Sequence, residues 1–157
     1  MQTPCNIFVG LDVSKDELVI AYAVGQSWKK CKIPNTLGHI SEWLSTLGTG
    51  GKHFVLEATG AYSERLIWSL AAAGAPFSVV NPAQSRAMSQ ALLKTNKTDD
   101  QDAQTLSLLG QKLELIAYKM PNNTQKKRKE AFSALASLQK QEQQLKNQLH
   151  AFGYRVN

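Results

Sequence analysis

Residues 6–33 read NIFVGLDVSKDELVIAYAVGQSWKKCKI and contain three apolar runs separated by short polar joints. The runs cover 6–13, 17–24 and 27–33, and their residue pattern is that of β-strands. The two joints are three and two residues long, which suits hairpin loops. This stretch therefore predicts an antiparallel meander of three strands.

Beyond residue 33 the sequence alternates between helical and strand patterns. Apolar residues at helical spacing predict an amphipathic helix that ends at Gly48. The runs 53–57 and 76–80 predict two more strands, and the segment 62–73 between them predicts a helix. Because each strand–helix–strand segment is long enough for a right-handed crossover, strands one, four and five should be parallel neighbours.

Every pattern after Pro82 predicts helix, with one polar interruption. We expect helices over 83–93 and 99–118, and a third helix near the C-terminus with apolar residues four and three positions apart. This coiled-coil seam consists of Ala131, Leu135, Leu138, Glu142, Leu145, Leu149 and Phe152. The element order is that of the ribonuclease H-like fold. We therefore predict an α/β domain over 1–119, with a mixed five-stranded sheet flanked by helices, followed by a basic coiled-coil helical segment over 120–157.

The composition is that of one globular domain with an appendage. The chain has 157 residues, of which 43% are apolar and 19% are charged. It has no apolar stretch of membrane-spanning length and no signal-peptide pattern, which predicts a cytoplasmic protein that does not associate with membranes. Cys5 and Cys31 are too few and too far apart for a disulfide framework or a zinc site. Trp28, Trp43 and Trp68 are expected to face the core.

The net charge of +6 is concentrated in the tail. Residues 1–119 hold 11 basic and 10 acidic side chains, whereas residues 120–157 hold 7 and 2. The basic cluster that opens the last predicted helix consists of Lys126, Lys127, Arg128 and Lys129. Such a cluster suits contacts with nucleic-acid phosphates, and it is equally compatible with an ordinary solvated helix face.

Four carboxylates fall where the predicted sheet would bring them together. Asp12 lies near the end of the first strand and Glu57 closes the fourth, and the ends of parallel neighbours meet at one sheet edge. Asp99 and Asp102 are three residues apart at the start of a helix, so both project from one face. Oxygen ligands suit hard divalent ions such as Mg²⁺, and two such ions can clamp the attacking and leaving oxygens of phosphoryl transfer.

Each carboxylate also has a purely structural explanation. Thr98, Asp99 and Gln101 together make a good helix start. Glu57 could end a strand at the surface, and Asp12 could open a turn. The coincidence of four acids, in an order that matches one nuclease-type fold, favours the metal site over these separate explanations.

Four short motifs resemble, in order and at plausible spacing, those of the DEDD transposases, insertion-sequence recombinases akin to the Piv-type site-specific DNA invertases. The motifs are Gly-Leu-Asp-Val-Ser-Lys at 10–15, Glu-Ala-Thr-Gly at 57–60, Val-Asn-Pro at 80–82 and Lys-Thr-Asp-x-x-Asp-Ala at 97–103. The resemblance covers about Ile7 to Leu115 and implies a RuvC-like catalytic domain that cleaves and transfers DNA strands. The ligands that it implies for Mg²⁺ or Mn²⁺ are Asp12, Glu57, Asp99 and Asp102.

The resemblance also implies partners. It implies recombination of DNA guided by a structured noncoding RNA, and the coiled coil predicts a homodimer or a higher oligomer. In that family a C-terminal domain supplies a nucleophilic serine, so the sequence looks like an N-terminal fragment, and none of its own serines is assigned that role. Lys15 and Lys97 flank the acidic motifs and are further candidate contacts to nucleic acid.

Two other functions remain open. A stand-alone RuvC-like nuclease, such as a junction resolvase, would use the same four acids without a serine and would cleave unaided. A non-catalytic, nucleic-acid-binding dimerisation module would need only the basic cluster and the coiled coil. An actin-like nucleotide-binding domain also begins with Gly-x-Asp, but it needs a second glycine-rich loop and roughly twice the length.

Overall fold

The computed structural model describes residues 7–58, 60–92 and 99–153. The chain divides into two compact units, Met1–Tyr118 and Lys119–Asn157. The first unit contains the whole β-sheet and the second contains one long helix.

The first unit is built on a five-stranded mixed sheet. Its strands are β1 (Ile7–Val13), β2 (Glu17–Val24), β3 (Ser27–Pro34), β4 (Lys52–Glu57) and β5 (Phe77–Val80), in the order β3-β2-β1-β4-β5. The β1–β2 and β2–β3 pairs are antiparallel, and the β1–β4 and β4–β5 pairs are parallel. The predicted meander and the predicted parallel neighbours are therefore both confirmed, and the sheet is ribonuclease H-like.

In the described part of the first unit, four α-helices and a short 3₁₀ helix accompany the sheet. The helices are α1 (Leu37–Leu47), α2 (Glu64–Ala72), α3 (Pro82–Ala91) and α4 (Asp99–Lys112), and the 3₁₀ helix covers Gly60–Ser63. The start of α3 is fixed by a capping box, in which Asn81 Oδ1 accepts from the Ala83 N–H and Gln84 Oε1 accepts from the Asn81 N–H. A proline at the first helical position adds to this start signal.

Helix α4 is shorter than its sequence predicts. The sequence predicts a helix that continues to about Tyr118, but α4 ends at Lys112. The residues that follow lie against β5 instead: the Tyr118 N–H donates to the Phe77 carbonyl at 2.7 Å, and the two rings stack at 5.3 Å. The Ser78 hydroxyl also donates to the Ile116 carbonyl at 2.7 Å. Contacts with the edge of the sheet replace the helical hydrogen bonds there.

The helices pack on opposite faces of the sheet. On one face, Trp43 of α1 meets Phe54 of β4 edge to face. On the other face, Leu106 and Leu109 of α4 form a core cluster with Val55. Side chains of a strand alternate between these two faces, so the direction of each strand residue follows from its position.

The prediction that all three tryptophans face the core is wrong for Trp68. Its exposed fraction is 53%, whereas Trp28 and Trp43 are partly buried. Helix α2 buries Leu66 and Leu70, which are one turn apart. Trp68 lies midway between them in sequence and therefore on the other side of the helix.

The second unit consists mainly of α5 (Asn123–Ala151), a 29-residue helix that starts with an Asn122–Gln125 capping box. Every residue of the predicted seam is exposed, and Glu142 forms an ion pair at 2.8 Å with Lys146 of the same helix. The helix is present, and its pairing as a coiled coil stays a prediction. The described helices include none that combines the length and the apolar character of a transmembrane span.

Candidate active site

Asp12 and Glu57 lie side by side at the ends of two neighbouring strands. Leu11 of β1 is opposite Leu56 of β4, so the next position along this parallel pair places Asp12 beside Glu57. Residues at matching positions of adjacent strands point to the same face, and neighbouring strands lie about 4.8 Å apart. Both side chains are half-buried. The predicted meeting of these two carboxylates follows directly from the sheet register.

Helix α4 lies on the same face of the sheet as these two acids. A Cβ atom on Gly10 would come within 1.9 Å of the Ala103 carbonyl oxygen and 2.6 Å of the Ser107 nitrogen. The Ser107 hydroxyl donates to the Phe8 carbonyl at 2.7 Å. Because Ser107 lies over Phe8 and Ala103 over Gly10, α4 runs opposite to β1. Its first turn, with Asp99 and Asp102, is therefore directed toward the Asp12 end of the strand.

The acids at the start of α4 also interact with the outer strand β3. Asp100, which the motif leaves out, forms an ion pair with Lys30 at 3.6 Å. The pKa of Lys32 is raised by its hydrogen bond from Nζ to the Glu17 carboxylate, by the charge of Glu17 and, to a lesser degree, by the charges of Asp99 and Asp100. Asp99 is exposed and Asp102 is half-buried. The acids of the first turn of α4 thus interact electrostatically with two lysines of β3.

A residue not predicted from the sequence holds the carboxylate of Glu57. The Ser85 hydroxyl donates to Glu57 Oε2 at 2.5 Å and also lies 3.0 Å from the Pro82 carbonyl oxygen. Ser85 is on the first turn of α3, whose start the Asn81–Pro82 pair fixes. The sequence carries no direct signal for this contact, because it depends on where α3 packs against the end of β4.

A second such residue joins the loops that follow the two acidic strands. The Asn35 side-chain amide donates to the Ser14 carbonyl at 2.8 Å and to the Tyr62 carbonyl at 3.0 Å. Ser14 follows β1, and Tyr62 belongs to the 3₁₀ helix after β4. Asn35 itself is 2% exposed, and its own carbonyl accepts from Arg65 at 3.2 Å. The sequence marks this position only through the preceding Pro34, which ends β3, and does not show that Asn35 is buried.

The described residues bring two acids together rather than a complete set of metal ligands. Within 7–58, 60–92 and 99–153, no three His, Cys, Asp or Glu side chains are grouped closely enough to hold a metal ion. The donors are nonetheless of the right kind, because carboxylate oxygens are the ligands that Mg²⁺ and Mn²⁺ prefer. The residues fit such an ion in chemistry, with Asp12 and Glu57 as the adjacent pair.

The predicted nucleic-acid contacts are only partly described. Lys15 is exposed in the β1–β2 turn, and Lys127 and Arg128 are exposed on α5. Lys97 lies outside the described residues, as do the side chains of Lys126 and Lys129. The motif residues Thr59 and Thr98 also lie outside them.

The strand order β3-β2-β1-β4-β5, with an antiparallel meander and two parallel pairs, is that of the ribonuclease H-like fold. The chain belongs to the IS110-type DEDD transposase family: that family's model, described as a transposase, matches residues 9–153. The resemblance inferred from the four motifs is thereby confirmed.

Two curated relatives are pilin gene-inverting proteins. The protein from Moraxella lacunata is 30% identical over 110 residues, and the protein from Moraxella bovis is 29% identical over the same length. Each alignment covers 67% of this chain and 34% of the relative. The chain thus spans about a third of the length of the curated relatives that it matches.

Among solved structures, the chain is similar to RuvC of Thermus thermophilus. One structure, in complex with a Holliday junction substrate, has a TM-score of 0.47 at 12% identity and covers 66% of this chain and 90% of that chain. A second RuvC structure has a TM-score of 0.42 and covers 66% and 92%. The fold assignment depends on the strand order and the family match rather than on these superpositions.

Proposed function

We propose that this chain is the N-terminal catalytic domain of a DNA transposase or site-specific recombinase. In this proposal, Asp12, Glu57, Asp99 and Asp102 hold Mg²⁺ or Mn²⁺ for the cleavage and transfer of DNA strands. The observation that carries it is the shared face: Asp12 and Glu57 are adjacent on parallel strands, and α4 runs back along β1 with its acidic first turn at the same end. Membership of a transposase family supports the choice of DNA as substrate.

The chain's own residues have separate tasks in this mechanism. Asp12 and Glu57 supply oxygen ligands from strand positions that the sheet holds rigidly, and α4 supplies the remaining two. The Ser85 hydroxyl fixes one oxygen of Glu57, so that carboxylate is oriented before any ligand binds. The bound ions would supply Lewis-acid charge and a nucleophile activated near neutral pH.

Further partners follow from the same proposal. We infer that a structured guide RNA selects the DNA, that a C-terminal domain supplies a nucleophilic serine, and that α5 joins two or more chains. The length of the relatives supports a further domain, since this chain spans about a third of them. The exposed apolar seam of α5 supports pairing, with Leu138 at 61% and Leu145 at 59% exposed.

The test is a calorimetric titration of Mn²⁺ into the chain and into three variants. Asp12→Ala and Asp102→Ala should each abolish saturable binding, because a shared site loses a ligand in both. Glu42→Ala, which removes an exposed carboxylate from α1, should bind as the unmodified chain does. Saturable binding that survives Asp12→Ala would contradict the proposed ligand set.

The two alternative functions give different results in a cleavage assay with Mn²⁺ and branched or linear DNA. A stand-alone nuclease cleaves with this chain alone and loses that cleavage in Asp12→Ala. A non-catalytic module retains its DNA affinity in Asp12→Ala and cleaves nothing. The proposed function expects metal binding without complete strand exchange until the serine-bearing domain is restored.

A further inference from the structure

The outer strand β3 alternates its lysines between the two faces of the sheet. Trp28 packs against the core cluster beneath α4, and Lys30 pairs with Asp100 of α4, so this face of β3 is the α4 face. Lys32, two residues further on, lies on the same face. Lys29 lies between these positions and therefore belongs to the opposite face.

Lys32 is also in line with the proposed metal ligands. It is opposite Val19 of β2, and Val19 is opposite Asp12 of β1. Glu57 is the next member of this row across the sheet, as the β1–β4 register requires. Two strand spacings, about 10 Å, separate the Lys32 backbone from the Asp12 backbone. Lys30 and Lys32 are about 6.8 Å apart along the strand, roughly twice the 3.4 Å rise per nucleotide of a DNA strand.

Both ammonium groups are available to an incoming ligand. The side chains of Lys30 and Lys32 are 38% and 50% exposed, and their carboxylate partners, Asp100 and Glu17, are 44% and 43% exposed. Ion pairs at such exposure are weak and screened by salt, so a phosphate can replace the carboxylate. The described residues place β3 at one end of the strand order, which leaves its outer side open.

A nucleic-acid strand needs positive charge at this position. Asp12 and Glu57 at the strand ends, and the three acids in the first turn of α4 that is directed toward them, repel the phosphates that the chemistry must bring close. We propose that Lys30 and Lys32, here named the β3 lysine strip, contact the backbone phosphates of the DNA strand that lies over Asp12 and Glu57. This inference rests on the proposed function, because it takes DNA as the substrate of that face.

The experiment measures DNA binding as a function of salt for charge-matched variants of the 157-residue chain. Fluorescence anisotropy is recorded with a labelled single-stranded DNA at several salt concentrations. Lys30→Ala/Lys32→Ala removes the strip. Lys29→Ala/Lys52→Ala removes two lysines whose positions on β3 and β4 belong to the opposite face. Each phosphate contact contributes about 0.7 to the slope of log affinity against log salt for a single strand.

The strip variant should lower that slope by about 1.4 and weaken binding at every salt concentration tested, whereas the opposite-face variant should leave both unchanged. Equal losses in the two variants would overturn the proposal, because only net charge would then matter. If the salt slope of the strip variant were unchanged and the variant self-associated in size-exclusion chromatography, the proposal would also be overturned. Lys30 and Lys32 would then serve to prevent β3, an edge strand, from pairing with another chain.

Two further measurements distinguish DNA from RNA as the ligand, and distinguish failure of this proposal from failure of the proposed function. The same titration is repeated with RNA of identical sequence, which carries the same phosphates, and a loss confined to RNA would overturn the assignment to DNA. Mn²⁺ calorimetry should show saturable binding by the strip variant that is no weaker than that of the unmodified chain, because the charges removed near Asp99 and Asp100 are positive. Absence of Mn²⁺ binding in both would count against the proposed function, while the salt slopes would still decide the strip.

Discussion

Gly10→Ala should both destabilise the first unit and disturb the metal site. The added Cβ would lie 1.9 Å from the Ala103 carbonyl oxygen and 2.6 Å from the Ser107 nitrogen, whereas ordinary contacts begin near 3.4 Å. Both neighbours are backbone atoms of α4, so no side-chain rotation relieves the overlap. The helix must move away from β1 by about 1.5 Å, as the difference between these distances requires.

The size of the effect follows from overpacking of the interface between α4 and β1. Overpacking a close-packed core usually costs 1–3 kcal/mol, and a shift of a whole helix belongs at about the upper end of that range. For a unit of this size, 1 kcal/mol corresponds to roughly 3–5 °C in melting temperature, so we expect a loss of about 10 °C or more. Ligand distances in metal sites hold to about 0.2 Å, so a displaced α4 should also weaken Mn²⁺ binding at least about tenfold.

The assays are thermal unfolding followed by circular dichroism, and Mn²⁺ calorimetry below the transition. Gly38→Ala is the matched control, because Gly38 lies in α1 and an added Cβ there meets nothing within 4 Å. Alanine at such a position should stabilise the chain by about 0.4–1 kcal/mol. If Gly10→Ala matched the unmodified chain in melting temperature and Mn²⁺ affinity, the direct seating of α4 on β1 would be refuted.

Three other substitutions test separate parts of the description. Ser85→Ala should weaken Mn²⁺ binding by about tenfold, because the Glu57 carboxylate loses the hydroxyl that orients it, and Ser85→Thr should recover part of the lost affinity. If calorimetry showed that Ser85→Ala binds Mn²⁺ as the unmodified chain does, Ser85 would have no part in orienting Glu57. Leu138→Glu should lower the mass measured by light scattering to that of one chain, because it places a charge in the apolar seam. Gln141→Glu, outside the seam, should leave the mass unchanged, and equal masses for the two variants would refute pairing through this seam. Burial lowers the pKa of His53, so the unfolded chain takes up a proton before the folded chain does as pH falls below about 6.5, and the free energy of unfolding should fall in that range. His53→Gln should flatten the melting-temperature profile below about pH 6.5, and an unchanged profile would contradict the role of His53.

The sheet and the pair of strand-end acids follow from local pattern alone. The first two runs within 6–33 are nearly continuous apolar stretches of strand length, and the joints between the three runs have the length of hairpin loops. Once β1 and β4 are parallel neighbours, the only further step is register, which places Asp12 beside Glu57. Such features depend on spacing along the chain, and spacing is visible in a sequence.

The features that sequence reasoning missed depend on contacts between distant elements. The apolar residues after Lys112 continue a helical spacing, yet that segment bonds to the edge of β5, so α4 stops early. Ser85 reaches Glu57 across 28 positions, and nothing near either residue marks the contact. The exposure of Trp68 likewise depends on which face of α2 is buried, and that face is the one that carries Leu66 and Leu70.

Helix α4 couples the core of this domain to its proposed chemistry. It approaches the sheet through small residues: Gly10 admits its backbone, and Gly110 leaves room for the rings and methyls of Phe8 and Val55. The same helix begins with the acids that would complete the metal site. A change that loosens the core must therefore displace ligands, and an ion that binds the folded form must stabilise the core. Millimolar Mg²⁺ or Mn²⁺ should accordingly raise the melting temperature of the unmodified chain and not that of Asp12→Ala.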